Sequence, residues 1–136
     1  MEAVLLWCGL NVTLLGMARN DPVEAFPKEI RLYETPRGRV PFSDWMDSLE
    51  GQEIYEIIML RLDTVERGSL GKTKRVGDGV SEMIFDYEEG YRIYYGLIGS
   101  KGDIVVLLNG GTKRTQDADI KLAKDYWNDK EFNHGE

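Results

Sequence analysis

Residues 76–97, VGDGVSEMIFDYEEGYRIYYGL, decide how the rest of the chain is read. Two runs rich in β-branched and aromatic residues flank the acidic stretch DYEEG, the pattern of a β-hairpin. Strand alternation sets Val80, Glu82, Ile84 and Asp86 against Ser81, Met83, Phe85 and Tyr87. In the second run Tyr91, Ile93 and Tyr95 alternate with Arg92, Tyr94 and Gly96. One arginine, Arg92, therefore shares a face with Tyr94 among many aromatics. Two readings of it stand side by side: an ion pair across the hairpin to Glu82 or Asp86, or a cation displayed to meet an anion.

Outward from the hairpin, GSKG leads into DIVVLLN (103–109), a nearly continuous apolar run expected to be a central strand buried on both faces. Upstream, QEIYEIIMLRLDTVERG (52–68) is the clearest helix, with Ile54, Ile57, Ile58, Leu62 and Val65 on one stripe and Gly68 as its stop. Tyr55 and Met59 widen that apolar face enough to meet a neighbouring helix or a partner protein. PFSDWMDSL (41–49) reads as a short helix with Ser43 as N-cap, and KEIRLYET (28–35) as a strand. TQDADIKLAKDYWNDK (115–130) reads as an amphipathic helix capped by Thr115, with Asp117 and Asp119 in its first turn. The order βααβββα predicts an α+β domain. Its twisted antiparallel sheet carries the N-terminal helix pair on one face and leaves the other partly open, with a C-terminal helix closing the chain.

The length fits a single domain, assigned to residues 27–132. Residues 1–26 are an apolar leader expected to lie outside the fold: about 16 residues before Arg19 is short for a membrane span, and Glu2 stands where a secretory signal carries positive charge. Met17 begins a segment that needs nothing upstream, so a start assigned too early, or a loose apolar tail, is expected. A secreted binding protein is the reading that depends on the leader alone. One cysteine, Cys8, excludes an internal disulfide framework, and the cytoplasm is the expected compartment.

A formal net charge of −7 excludes coating of nucleic acid by bulk electrostatics. Charge is nevertheless uneven. RGSLGKTKR (67–75) holds cations and no anion, and Lys113 and Arg114 add a pair in GGTKR. A small basic site on an acidic body is compatible with this pattern, as is a merely lysine-rich loop.

The single histidine, His134, lies in the C-terminal tail, so neither a Ser/His/Asp nor a Cys/His arrangement can be assembled and no histidine-based metal spacing exists. Asp117 and Asp119 are explained by the helix dipole, and no metal or other cofactor is expected. What remains is cation and phenol chemistry. Cleavage of RNA through its own 2′-hydroxyl needs that group deprotonated, charge on the phosphorane neutralised and the departing 5′-oxygen protonated, and arginine, lysine and tyrosine can supply such help.

PFSDWMDSL, RLDTVERGSLGKTKRVGDGVSEMIFDYEEGYRIYYG and IVVLLNGGTKRTQDADIKLAKDYW, in this order over roughly residues 28 to 130, resemble the RelE/ParE toxin superfamily, specifically its HigB-like branch of phage-derived addiction module killer proteins. The resemblance implies a cytoplasmic toxin of a type II toxin–antitoxin pair, a metal-independent endonuclease that cuts mRNA on the ribosome. Its implied partner is an antitoxin carrying a helix-turn-helix domain, with a homodimer also allowed. The arginine of the family's GYR segment matches Arg92, and its basic position after the last strand matches Lys113 or Arg114. Lys72, Lys74, Arg75 and Tyr94 are expected to bind RNA, Tyr94 by stacking, and Tyr55 and Met59 to meet the antitoxin. Where well-known ribonuclease members carry lysines pointing into the site, this chain is expected to place Met83 and Phe85, which cannot move protons. The general base is then unassigned, and Tyr126 is expected in the core. The alternative is a toxin-fold binding module without ribonuclease activity, a topoisomerase poison or an inactive toxin acting with its antitoxin in transcriptional regulation.

Overall fold

The computed structural model describes residues 27–129. Its elements run β1 (Glu29–Leu32), α1 (Pro41–Asp47), α2 (Glu53–Glu66), β2 (Thr73–Gly77), β3 (Val80–Phe85), β4 (Tyr91–Ile98), β5 (Ile104–Thr112), a 3-10 turn (Lys113–Thr115) and α3 (Gln116–Trp127). The domain is α+β, as expected. The leader assigned to residues 1–26 lies outside the described residues, and among those described no helix is long and apolar enough to cross a membrane.

Three expectations about the architecture are corrected. The order is βααββββα, because TKRVG, read as part of a basic loop, is a strand paired antiparallel with β3. Arg61 on α2 explains it: its guanidinium donates to the carbonyls of Leu70 (3.1 Å), Lys72 (2.8 Å) and Ile84 (3.1 Å) and lies over the Phe85 ring, which pins the segment entering β2 against the sheet. The sheet is also mixed rather than antiparallel. Its order is β1-β5-β4-β3-β2, with β1 parallel to β5 and the other pairs antiparallel. Finally, helices cover both faces, since α3 packs on β5, β4 and β3 from the side opposite α1 and α2.

Each face has its own core. On one, Ile54, Ile58, Leu62 and Val65 of α2 pack with Met83, Phe85, Tyr91, Ile93, Tyr95, Val105 and Leu107. On the other, Val80, Tyr94, Val106 and Leu108 lie under Ala123, with Tyr126 and Trp127 packed alongside. The IVVLL run occupies β5 between two neighbours and is buried on both sides, which is why it lacks alternation. α1 starts at Pro41, whose missing N–H is no loss in a first turn; Ser43 therefore lies inside the helix and Val40 is the N-cap.

Glycines inside strands mark where helices approach closely. A β-carbon on Gly96 would collide with the Trp127 ring, and one on Gly110 with Trp45. Gly96→Val is expected to destabilise the domain by about 1–3 kcal/mol, read as a lower urea midpoint with unchanged slope, because the Trp127 ring packed on Gly96 must be displaced.

Candidate functional site

Register fixes which side chains share the α3 face. Lys74 of β2 stands opposite Glu82 of β3, which stands opposite Tyr94 of β4, which stands opposite Asn109 of β5. One row along, Ile84 faces Arg92 and Arg92 faces Gly111, with Lys72 at the β2 edge accepting the Ile84 N–H at its carbonyl. Lys72, Lys74, Glu82 and Arg92 thus share one side of the sheet, from its β2 edge to the central strand β4.

Arg92 is held deep, its side chain 11% exposed. Its Nε lies 3.8 Å from Glu82 Oε2, and its Nη1 donates to the Tyr91 carbonyl at 3.1 Å. Nε itself is buried without a hydrogen-bond partner. Glu82, 2% exposed, is fixed from above by Gln116, the first residue of α3, whose Nε2 lies 3.0 Å from Oε1 and 3.3 Å from Oε2. Of the two partners considered for Arg92, Glu82 is therefore the one beside it. Asp86 instead accepts from Lys72 Nζ at 2.6 Å, which holds the Asp86 carboxyl below its usual range.

Lys113 opens the 3-10 turn, and its backbone N–H donates to the Gly90 carbonyl at 3.1 Å. A β-carbon on Gly90 would lie 3.5 Å from Arg92 Nη1 and 3.6 Å from the Lys113 Cβ, so the two cations flank the same glycine. Gly90 has φ near +90°, which only glycine adopts without strain. Arg114 points away to Glu89 at 3.8 Å and is well exposed.

The remaining expected site residues are distributed less favourably. Arg75 is opposite Ser81, on the α2 side of the sheet, away from Arg92. Tyr94 is fully buried and cannot stack on a base; its hydroxyl lies among Glu82, Asp119 and Arg92, and burial first, then these carboxylates, push its pKa far up. Met83 and Phe85 point into the α2 core, so they are not the residues beside Arg92; Glu82 and Ile84 occupy that face. The alternation across β3 carried this information, since Ile84 and Arg92 are direct cross-strand partners. Tyr55 and Met59 sit half-buried on α2, packed against the core with their outer surfaces accessible. Tyr126 packs its ring 4.9 Å from that of Tyr33.

Three contributors to this site went unread in the sequence: Gln116, Asn109 and the role of Asp119. Asn109 Nδ2 donates to the Asp119 carbonyl at 3.2 Å. The Thr115 hydroxyl lies within hydrogen-bond reach of the Asp119 carboxylate and of the Thr112 carbonyl, so the threonine stands at the N-cap position without capping a helix N–H. Among the described residues no three His, Cys, Asp or Glu side chains gather as a metal site requires.

Burial raises the Asp119 carboxyl above its ordinary value, and the Thr115 hydroxyl offsets part of this. A raised folded-state pKa means the folded chain holds the proton more tightly than the unfolded one. The associated stabilisation is present below the ordinary carboxylate range and is lost as pH rises through the raised value. Asp119→Asn is expected to remove that loss, flattening the stability profile measured by denaturation as pH rises above the ordinary carboxylate range.

No family model matches the chain. A protein of Haemophilus influenzae that bears the description "Uncharacterized protein" is 40% identical to it over 83 residues, which cover 61% of this chain and 82% of that protein. At that identity and coverage the two descend from one fold, and the chain belongs to the family of this Haemophilus influenzae protein.

Proposed function

We propose that the chain is a HigB-like toxin of the RelE/ParE superfamily, the toxin of a type II toxin–antitoxin pair, and that it cleaves mRNA on the ribosome without a metal. The observation that carries this reading is the convergence of Arg92, Lys113, Lys72 and Lys74 on one side of the sheet in a chain whose net charge is −7. Cations collected on one patch of an acidic protein mark an anion-binding site, and a phosphodiester backbone is an anion long enough to span strands β2 to β4. In this reading the 2′-hydroxyl gives up its proton to solvent water, its oxygen attacks phosphorus, and the bond from phosphorus to the 5′-oxygen breaks as that oxygen takes a proton. Arg92 stabilises the phosphorane charge and the Lys113 ammonium gives the leaving oxygen its proton. Lys72 and Lys74 track flanking phosphates. Arg114 adds charge at the rim, and Arg75 is left out because it faces the other way. The antitoxin, with its helix-turn-helix domain, would cover the Tyr55 and Met59 side of α2 or the basic face itself. A cytoplasmic site of action follows from the target.

A second reading, a toxin-fold binding module without ribonuclease activity, is favoured by one observation. Tyr94 is buried and Met83 and Phe85 face the α2 core, so none of the three can exchange a proton with a substrate beside Arg92. Binding to single-stranded RNA across a salt series tests the basic face for both readings. Lys74→Ala is expected to weaken binding uniformly and reduce the salt slope by about one contact. Arg75→Ala is expected to leave the slope unchanged. Equal effects of the two would place the RNA elsewhere.

A further inference from the structure

We infer that Glu82 and Gln116 form a buried positioning pair that sets the orientation of the Arg92 guanidinium relative to Lys113, an inference that rests on the reading of this face as an RNA phosphate site. Glu82 is an expensive residue for its place. Its neighbours on the same face of β3, Val80 and Ile84, are apolar, and a buried carboxylate adds nothing that packing alone would need. What it does is visible in the geometry. Gln116 donates toward both carboxylate oxygens, fixing the plane of the group, and Oε2 then draws the Nε edge of Arg92 inward to 3.8 Å. The Tyr91 carbonyl takes Nη1. In this arrangement Nη1 donates to the Tyr91 carbonyl and Nε faces Glu82, and Nη2 is the nitrogen that meets the phosphate.

Gln116 follows directly on the turn that carries Lys113, and the Lys113 N–H is tied to Gly90 beside Arg92. The element that brings Gln116 to Glu82 therefore also brings the Lys113 backbone beside Arg92. Glu82 is too deeply buried to reach a ribose hydroxyl. It acts through Arg92, as a positioning residue, and Gln116 acts through Glu82.

The test is steady-state cleavage of a single-stranded RNA by wild type, Glu82→Gln and Gln116→Ala on ribosomes, with pH profiles. Both variants are expected to lose about tenfold or more in kcat with KM unchanged or lowered, because the guanidinium is retained but misaimed. The acid limb of the kcat profile should persist in both. Unchanged kcat in folded Glu82→Gln, or a silent Gln116→Ala, would overturn the inference, and loss of the acid limb would make Glu82 a general base instead. If wild type cleaves no RNA, the functional reading fails by itself. The positioning claim is then decided by the Arg92 Nε–H resonance in nitrogen-15 NMR, expected to exchange slowly in wild type and fast in Glu82→Gln. Fast exchange in both would overturn it.

Discussion

Arg92→Ala is expected to abolish growth arrest and slow mRNA cleavage by about a hundredfold or more, the loss that follows removal of a preorganised donor to a developing phosphorane charge. The structure adds a second consequence. Without the guanidinium, the Glu82 carboxylate, 2% exposed, keeps only Gln116 as a donor. Breaking a buried pair from one side costs up to about 3–5 kcal/mol, an upper figure for partners 3.8 Å apart without a hydrogen bond. Lost activity in the single variant therefore mixes chemistry with stability, and Arg92→Ala combined with Glu82→Gln separates them. The double variant is expected to regain much of the stability and none of the activity. Recovery of both would mean that the pair is structural and that Arg92 touches no phosphate. Arg92→Lys should recover little, since one ammonium nitrogen cannot fill both the Nη1 position at the Tyr91 carbonyl and the Nε position beside Glu82 and also offer a planar fork to a phosphate.

The second large effect belongs to the core. Leu107 is fully buried on β5, the strand that pairs with β1 on one side and β4 on the other. It stands opposite Leu32 and Tyr95, so truncation leaves a cavity walled by two strands and α1 that cannot collapse easily. Leu107→Ala is expected to cost about 2–5 kcal/mol by chemical denaturation. Leu60→Ala, at a position 63% exposed on α2, should change stability by less than about 0.5 kcal/mol. A small effect at Leu107 would contradict the central place given to β5.

Much of this architecture is legible in local pattern. The α2 stripe of Ile54, Ile58, Leu62 and Val65 is buried as its spacing requires, and Tyr91, Ile93 and Tyr95 turn to the opposite side of β4 from Arg92. The missing strand β2 illustrates the limit of such reading. TKRVG is an edge strand with solvent-facing Lys74 and Arg75, composition that keeps edges from aggregating and that also looks like a loop. It is held there by Arg61, distant in sequence and satisfied only after folding. The parallel pairing of β1 with β5 likewise joins chain segments far apart and has no local signature.

At the site, alternation placed Arg92 and Tyr94 together correctly, but no local rule reveals depth. Tyr94 became core, and Arg92 became nearly so, because α3 returns across β4 and β5 and lowers Gln116 onto Glu82. Assigning Met83 and Phe85 to that face was a parity error. Counting across the hairpin from Arg92 reaches Ile84, and Glu82 two residues earlier, rather than their neighbours.

The central claim, that the basic face around Arg92 cuts mRNA, is tested most directly by primer extension on cellular mRNA after brief induction of wild type and of the Arg92→Ala, Glu82→Gln double variant. New 5′ ends within translated regions are expected for wild type, absent when ribosomes are kept off the message and absent for the double variant. No new ends with wild type, or the same ends with the folded double variant, would contradict it.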